Sequence, residues 1–214
     1  MQYAPPPYNP NPYGLYNPYT TPAQPLTAAS IDATGHRPQV RVFFLLTAVV
    51  SAVLYLAGFG LMFGGIFASS GSHPEIGLIF AGEGVMVLGA LLIYVKLGLA
   101  LYWLHGAWKW VPMDQRVGRD GKRYSPSDVF MLLIPYYNIY YQFPVNLALC
   151  DAMERLRQMT RTTEAPKRDV AMWAAICEII PFANFSVAPF LWASYMRSVD
   201  VLHDEIATAL SRGP

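Results

Sequence analysis

The sequence contains little charge for its size. Of its 214 residues, 14% are charged and 54% are hydrophobic, whereas soluble domains carry roughly 25% charged residues. The formal net charge is only +1, so the strongly basic surface of a nucleic-acid-binding protein is absent. The composition therefore favours a membrane protein that is embedded in the lipid bilayer. We predict no nucleic-acid partner.

Cysteines and catalytic motifs are also scarce. The two cysteines, Cys150 and Cys177, are too few for a disulfide framework. The four histidines are scattered without the spacing of metal ligands. None of the GxSxG, HExxH or P-loop patterns occurs. We therefore predict a protein that is not an enzyme and that holds no metal or cofactor.

Residues 1–40 differ in composition from the rest of the chain, because proline, tyrosine and asparagine dominate and aliphatic runs are missing. Prolines interrupt both helix and sheet, and such a segment cannot bury enough apolar surface to fold. We predict a disordered cytoplasmic tail. Pro5, Pro6 and Tyr8 belong to a PPxY pattern that WW-type domains bind. Alternatively, the repeated tyrosines provide general contacts to a partner or to a second copy.

Four apolar segments follow and predict an all-α integral membrane helical bundle over residues 41–200. Their approximate bounds are 42–68, 76–104, 129–150 and 170–196. The first is long enough to cross a bilayer, which requires roughly 20 apolar residues. Its Gly60 and Gly64 are four residues apart, and this spacing predicts close packing against another helix. Three tryptophans near the end of the second segment predict an interfacial aromatic belt; they are Trp103, Trp108 and Trp110.

The third and fourth segments resemble each other at an offset of 46 residues. Pro135 aligns with Pro181 and Asn138 with Asn184, and the apolar positions that follow also align. Shared residues at a fixed spacing predict an internal structural repeat. Proline removes a backbone donor and breaks the helix, so we predict helix breaks at four prolines. These are Pro135, Pro144, Pro181 and Pro189.

The distribution of basic residues leaves two topologies open. Arg37 and Arg41 precede the first span, which places the amino terminus in the cytoplasm. If the third segment crosses the membrane, the basic loop around Arg161 lies outside, against the usual rule. Either the two proline-broken segments are re-entrant hairpins that return to the cytoplasmic face, or all four segments span and the outer loop is basic. Four spans are the working prediction.

Polar residues inside the apolar segments define a candidate intramembrane polar site of Glu178, Asn138, Asn184 and Glu83. A carboxylate facing lipid costs about 2.5–3.5 kcal/mol, so Glu178 should face protein, water or headgroups. Glu83 and Lys96 are expected to reach water at opposite ends of their helix. Each asparagine that follows a proline either bonds the broken turn or lines a polar site in a discontinuous helix.

Residues 197–214 predict an amphipathic helix. Val199, Leu202, Ile206 and Leu210 fall near one face, and charged residues fall on the opposite face. Such a helix lies on the membrane surface or packs against a protein partner.

The stretch from Ser125-Pro126 to Tyr141 resembles a group of uncharacterised bacterial multi-pass membrane proteins. These share a Ser-Pro start, an apolar run and an Ile-Pro-aromatic-x-Asn motif, here residues 134–138, followed by aromatic residues. The resemblance implies location in the cell (inner) membrane and this architecture, without an activity. A tyrosine replaces the tryptophan that usually follows the asparagine.

Two functions are therefore predicted. The first is a non-enzymatic membrane scaffold or interaction protein, whose tail or carboxy-terminal helix binds a protein partner. The second is a small transporter or channel-like component with a polar path near Glu178, Asn138 and Asn184. Either protein is compatible with a homo-oligomer.

Overall fold

The computed structural model describes residues 39–67 and 76–212, and the predicted tail with Pro5, Pro6 and Tyr8 lies outside them. The described residues are helical apart from short loops and one isolated bridge, Val117–Arg123, so the all-α class is confirmed. The α-helices in chain order are α1 (Gln39–Phe67), α2 (Ile76–Trp110), α3 (Tyr137–Thr160), α4 (Arg168–Ile179), α5 (Pro181–Ser186) and α6 (Ala188–Ser211). Two 3₁₀ helices, Met113–Gln115 and Pro126–Leu133, lie between α2 and α3.

Helices α1 and α2 are long and apolar enough to cross a membrane, with 29 and 35 residues. At about 1.5 Å per residue, both exceed a hydrocarbon core of about 30 Å. Large apolar side chains cover their outer surface, and Leu56 and Phe80 are 69% and 68% exposed. A contiguous apolar surface of this kind suits a bilayer rather than water.

Glycines bring α1 and α2 into close antiparallel contact. The Ser51 hydroxyl donates to the carbonyl of Gly89 at 2.8 Å. A Cβ atom built on Gly82 would lie 2.6 Å from the carbonyl oxygen of Gly58. Among the residues that the structure describes, no atom lies within 4 Å of the same position at Gly60 or Gly64, so the predicted close packing of these two glycines does not occur against any described helix. Glycine spacing marks a face that permits close approach, but the partner helix decides which face is used.

After α2 the chain runs back along it and then reverses. The 3₁₀ helix Pro126–Leu133 starts beside His105, whose Nδ1 is 3.0 Å from the carbonyl oxygen of Pro126. It ends near Lys96, since Leu132 and Lys96 line one cavity. The reversal passes through Tyr136, whose φ of +63° is rare for a residue with a side chain. Residues 129–150 are therefore not one straight helix.

The second proline-broken segment forms a similar hairpin from α4, α5 and α6. At its open end, the backbone N–H of Lys167 donates to Ser198 Oγ at 3.3 Å. At its closed end, the Trp192 indole on α6 donates to Glu178 on α4. Helix α4 is thus antiparallel to α6.

Helix α6 continues without interruption through residue 196, where sequence analysis placed the end of the fourth segment. The predicted amphipathic helix is its second half. Val199, Leu202 and Ile206 are 3%, 0% and 0% exposed, and Leu210 packs partly buried against the same core. The apolar face therefore packs within the chain, in one core cluster with buried residues of α2, α3 and α4.

Three of the four predicted helix breaks coincide with element boundaries. Pro135 lies at the first reversal, α5 begins at Pro181, and Pro189 is the second residue of α6. Pro144 lies inside α3, which continues through it, so the predicted break there is wrong. The packing of α3 on the surrounding core holds the helix together despite the missing donor.

The main core lies at the end of the molecule where α2, α3 and α6 meet. Trp103, Trp108 and Trp110 are at most 4% exposed, so they do not form the predicted interfacial belt. The Trp103 indole donates to Asp200 at 3.0 Å. The ring centroids of Trp110 and His203 are 3.8 Å apart. Helix α2 extends beyond the length of a span, and the hairpins cover that extension.

Replacing Gly82 by valine should separate α1 from α2, because the new side chain overlaps backbone atoms of α1. We expect a loss of about 1–3 kcal/mol in the free energy of unfolding, measured by denaturation in mixed detergent micelles. Gly60→Val is the matched control and should stay close to wild type, since that position is open. Equal losses in both variants would contradict the assigned interface.

Candidate functional site

Lys96 lies at the centre of a polar cluster although it sits on an apolar helix. Its side chain is 7% exposed, so it does not reach water as the sequence suggested. Residues Gly82, Gly89, Lys96, Trp103 and Trp110 are all buried and spaced by seven. That spacing keeps one stripe of a helix facing its neighbours, and Lys96 belongs to the stripe.

Two residues of the second hairpin contact the Lys96 ammonium group. Its Nζ lies 3.4 Å from Glu178 Oε1 and donates to Asn184 Oδ1 at 2.9 Å. The Trp192 indole donates to the other carboxylate oxygen, Oε2. Burying charge is costly unless it is paired and hydrogen-bonded, and here both carboxylate oxygens have a partner.

Three amide side chains extend this cluster around a small cavity of about 40 Å³, which is lined by Asn138, Gln142 and Asn146 together with Lys96 and Glu178. A volume of this size holds a water molecule or two. Gln142 donates to the carbonyl of Ala175 at 3.2 Å, which ties α3 to α4. Asn146 Oδ1 is buried and has no hydrogen-bond partner among the described residues.

The structure thus brings together three of the four predicted polar residues. Glu178 and Asn184 contact Lys96, and Asn138 lines the cavity beside it. Glu83 is exposed and lies 13 residues before Lys96 on α2, about 20 Å away along the helix. It does not belong to the cluster.

One prediction is that the asparagine side chains bond the turns broken by the prolines. In the structure, the backbone N–H groups of these asparagines make those hydrogen bonds instead. The N–H of Asn138 donates to the carbonyl of Ile134 at 3.0 Å, and that of Asn184 donates to Ile180 at 2.8 Å. The Asn184 side chain is therefore available to accept from Lys96.

Sequence reasoning did not assign four members to the cluster, namely Lys96, Gln142, Asn146 and Trp192. Lys96 was recognisable, since it stands seven residues after Gly89 and seven before Trp103, on the stripe that packs against α1 and α6. Trp192 carried no such signal, because its contact with Glu178 depends on how α4 folds back on α6.

Two basic regions that are distant in sequence meet at one end of the molecule. Arg119 Nε lies 3.0 Å from Asp151 Oδ1 and Arg168 Nε lies 3.3 Å from the same oxygen. Arg155 on α3 donates to the carbonyl of Gln115 at 2.8 Å. The loop after α2 and the α3–α4 connection therefore share what we call the basic end.

A further ion pair at the basic end lies within α3. Arg157 donates to both carboxylate oxygens of Glu154, at 2.7 and 2.8 Å. These hydrogen bonds lower the pKa of Glu154 below its usual value, so the pair stays charged at neutral pH.

Among the described residues no group of three or more histidine, cysteine, aspartate or glutamate side chains is placed to hold a metal ion. Comparison with family models, with curated proteins and with solved structures found no match to this chain. The geometry of the described residues is therefore the basis for a function, and the family resemblance of residues 125–141 stays a prediction.

Replacing Lys96 by methionine should destabilise the fold, because Glu178 loses its counter-charge and Asn184 loses its donor. We expect a loss of about 1–3 kcal/mol in the free energy of unfolding, measured in mixed micelles. Adding Glu178→Leu to Lys96→Met should recover part of this loss, since no unpaired charge then remains.

Glu83→Gln is the control on the same helix and should change stability by less than about 0.5 kcal/mol. A Lys96→Met variant as stable as wild type would show that the cluster does not hold the hairpin.

Proposed function

We propose that this chain is a non-enzymatic inner-membrane protein that acts as a scaffold or interaction protein. In this proposal α1 and α2 cross the bilayer, and both hairpins re-enter it from the cytoplasmic side. The observation that carries the proposal is the apolar, exposed surface at both hairpin tips. Tyr136 and Phe182 are 87% and 88% exposed there. Other exposed apolar residues near the tips are Phe130, Leu133, Ile134, Ile139, Tyr140, Ile179, Ile180, Val187 and Phe190.

The second tip lies against the membrane-spanning part of α1. Phe185 stacks on Tyr55 with ring centroids 5.1 Å apart. Tyr55 is 14 residues beyond Arg41, which corresponds to about 21 Å along the helix. If Arg41 marks the membrane surface, this tip is within the hydrocarbon layer, where exposed apolar side chains are stable.

The contacts at the basic end support two re-entrant hairpins rather than four spanning segments. Lysine and arginine accumulate on the cytoplasmic side of membrane proteins. Re-entrant hairpins place Arg119, Arg155 and Arg168 together on that side, as their shared contacts require. Four spans would place the α3–α4 connection on the opposite side from the loop after α2.

Two matching features support the internal repeat within this proposal. Ile134 and Ile180 have nearly the same backbone angles, with φ/ψ of −81°/116° and −88°/116°. The apolar residues of the returning helices are buried in both hairpins, at Leu149, Met153 and Leu156 and at Tyr195, Val199 and Leu202.

The scaffold role follows from the way the polar cluster is satisfied. Lys96 and Glu178 neutralise each other, so the cluster fastens the second hairpin to α2. The predicted tail enters α1 near Arg41, which lies 3.9 Å from Asp200 at the same end of the molecule. The tail, which precedes α1, and the basic end would both face the cytoplasm in this proposal, where a protein partner can bind them.

The second candidate is a small transporter or channel-like component with a polar path near Glu178, Asn138 and Asn184. It is favoured by the small cavity beside the ion pair, whose largely apolar wall includes three amides, and by Asn146 Oδ1, which has no hydrogen-bond partner among the described residues. A path through the membrane would require this cavity to extend in an oligomer.

Site-directed cysteine labelling in intact cells tests the topology. In a background with Cys150 and Cys177 replaced, cysteines at Thr162 and Asp120 should react only after the membrane is permeabilised. A cysteine at Ser72, between the two spans, should react from outside. Labelling of position 162 from outside would exclude the re-entrant arrangement.

Glu178→Gln and Glu178→Leu separate the two functions. A scaffold predicts that Glu178→Gln lowers membrane level and partner capture moderately, because the amide still accepts a hydrogen bond but no longer provides the counter-charge of the buried Lys96. Glu178→Leu should lower both further, because leucine also removes the acceptor of the Trp192 hydrogen bond. If both variants keep wild-type levels and assembly but abolish an ion or solute flux, the scaffold proposal fails.

A further inference from the structure

A groove runs between the first turns of α1 and the α4–α6 hairpin, with a volume of about 580 Å³. At one end it is lined by Arg41, Lys167 and Arg197, which come from three different helices or their caps. Along its length it is lined by Val42, Leu45, Leu46 and Val49 of α1.

The charged end of the groove has an excess of positive charge. Arg41 lies 3.9 Å from Asp200 Oδ2, and Asp200 also accepts from Trp103. Lys167 and Arg197 are exposed. Three cations therefore surround the groove against one paired carboxylate, and Ser194 adds a hydroxyl at its wall.

The apolar part of the groove starts immediately beyond the charges. Val42, Leu45, Leu46 and Val49 follow the spacing of one helix face, and Val42 and Leu46 are 61% and 58% exposed. In the proposed orientation this face descends from the cytoplasmic surface into the hydrocarbon layer. The groove thus has a cationic entrance at headgroup depth and an apolar floor below it.

We propose that this groove binds one anionic phospholipid of the cytoplasmic leaflet. Its phosphate lies among Arg41, Lys167 and Arg197, and one acyl chain lies along Val42 to Val49. This inference rests on the proposed membrane embedding. Basic pockets between helices on the cytoplasmic side are suited to acidic headgroups, and guanidinium groups bind phosphate in strong charge-assisted pairs. A zwitterionic lipid offers no net charge, and a free phosphate leaves the apolar floor uncovered.

Native mass spectrometry of the full chain in detergent tests the site with phosphatidylglycerol and phosphatidylcholine of the same acyl chains. Wild type should retain one phosphatidylglycerol in preference to phosphatidylcholine. Replacing the three groove cations together (R41Q, K167Q and R197Q) should weaken phosphatidylglycerol retention at least about tenfold. The charge-matched control replaces exposed basic residues elsewhere (R123Q, R161Q and R212Q) and should retain the lipid as wild type does.

A second variant tests the apolar floor without changing charge. Leu46→Gln is at an exposed position, so folding should be preserved, and retention of phosphatidylglycerol should fall. Inorganic phosphate as competitor separates a lipid site from a phosphate site. If phosphate displaces the lipid and binds Leu46→Gln as well as wild type, the lipid assignment is overturned.

Two further outcomes would overturn the inference. Equal loss of lipid in the groove variant and the charge-matched control would show binding by general surface charge. A membrane-integrated wild type without preference for phosphatidylglycerol would remove the site and leave the proposed function intact. Release of the wild-type chain from membranes by alkaline extraction would instead overturn both proposals.

Discussion

The position of the second hairpin depends on one ammonium group. Glu178 precedes the chain reversal and Asn184 follows it, and the Lys96 side chain contacts both. A charged side chain on an apolar helix must find a counter-charge or reach water. Here the counter-charge comes from a residue 82 positions later, so satisfying Lys96 requires the reversal to lie against α2. The electrostatic requirement of Lys96 is thus met by contacts with α4 and α5, on both sides of the reversal.

The first hairpin has no such requirement. In the predicted repeat with its offset of 46, Leu132 is the counterpart of Glu178 and Asn138 is the counterpart of Asn184. The stripe of α2 has one lysine, Lys96. A carboxylate at position 132, in addition to Glu178, would therefore have no lysine of the stripe to pair with. Both hairpins keep the proline and asparagine of the turn, because the reversal itself is a local property. The acid is present only in the hairpin that meets the lysine.

Sequence analysis predicted what depends on local composition. The first segment, 42–68, corresponds closely to Gln39–Phe67, and the breaks at Pro135 and Pro181 follow from proline chemistry. It did not predict the continuity of α3 through Pro144 or of α6 through residue 196, because packing against distant helices decides both. It named Glu178, Asn138 and Asn184 but not their partner. Lys96, which contacts Glu178 and Asn184, was visible only as one of five residues spaced by seven along α2. Which residues face it depends on the fold.

The same stripe explains why α2 is longer than a bilayer requires. Its glycines at 82 and 89 allow α1 to approach closely, while Trp103 and Trp110 contact Asp200 and His203 of α6. The glycines of the stripe therefore lie in the part of α2 that packs against α1. The tryptophans lie in the part of α2 that fills the core beneath the hairpins. Lys96 lies between the part of α2 that contacts α1 and the part that contacts α6. A helix cut to the thickness of a membrane would keep the α1 contact and lose the surface on which both hairpins pack.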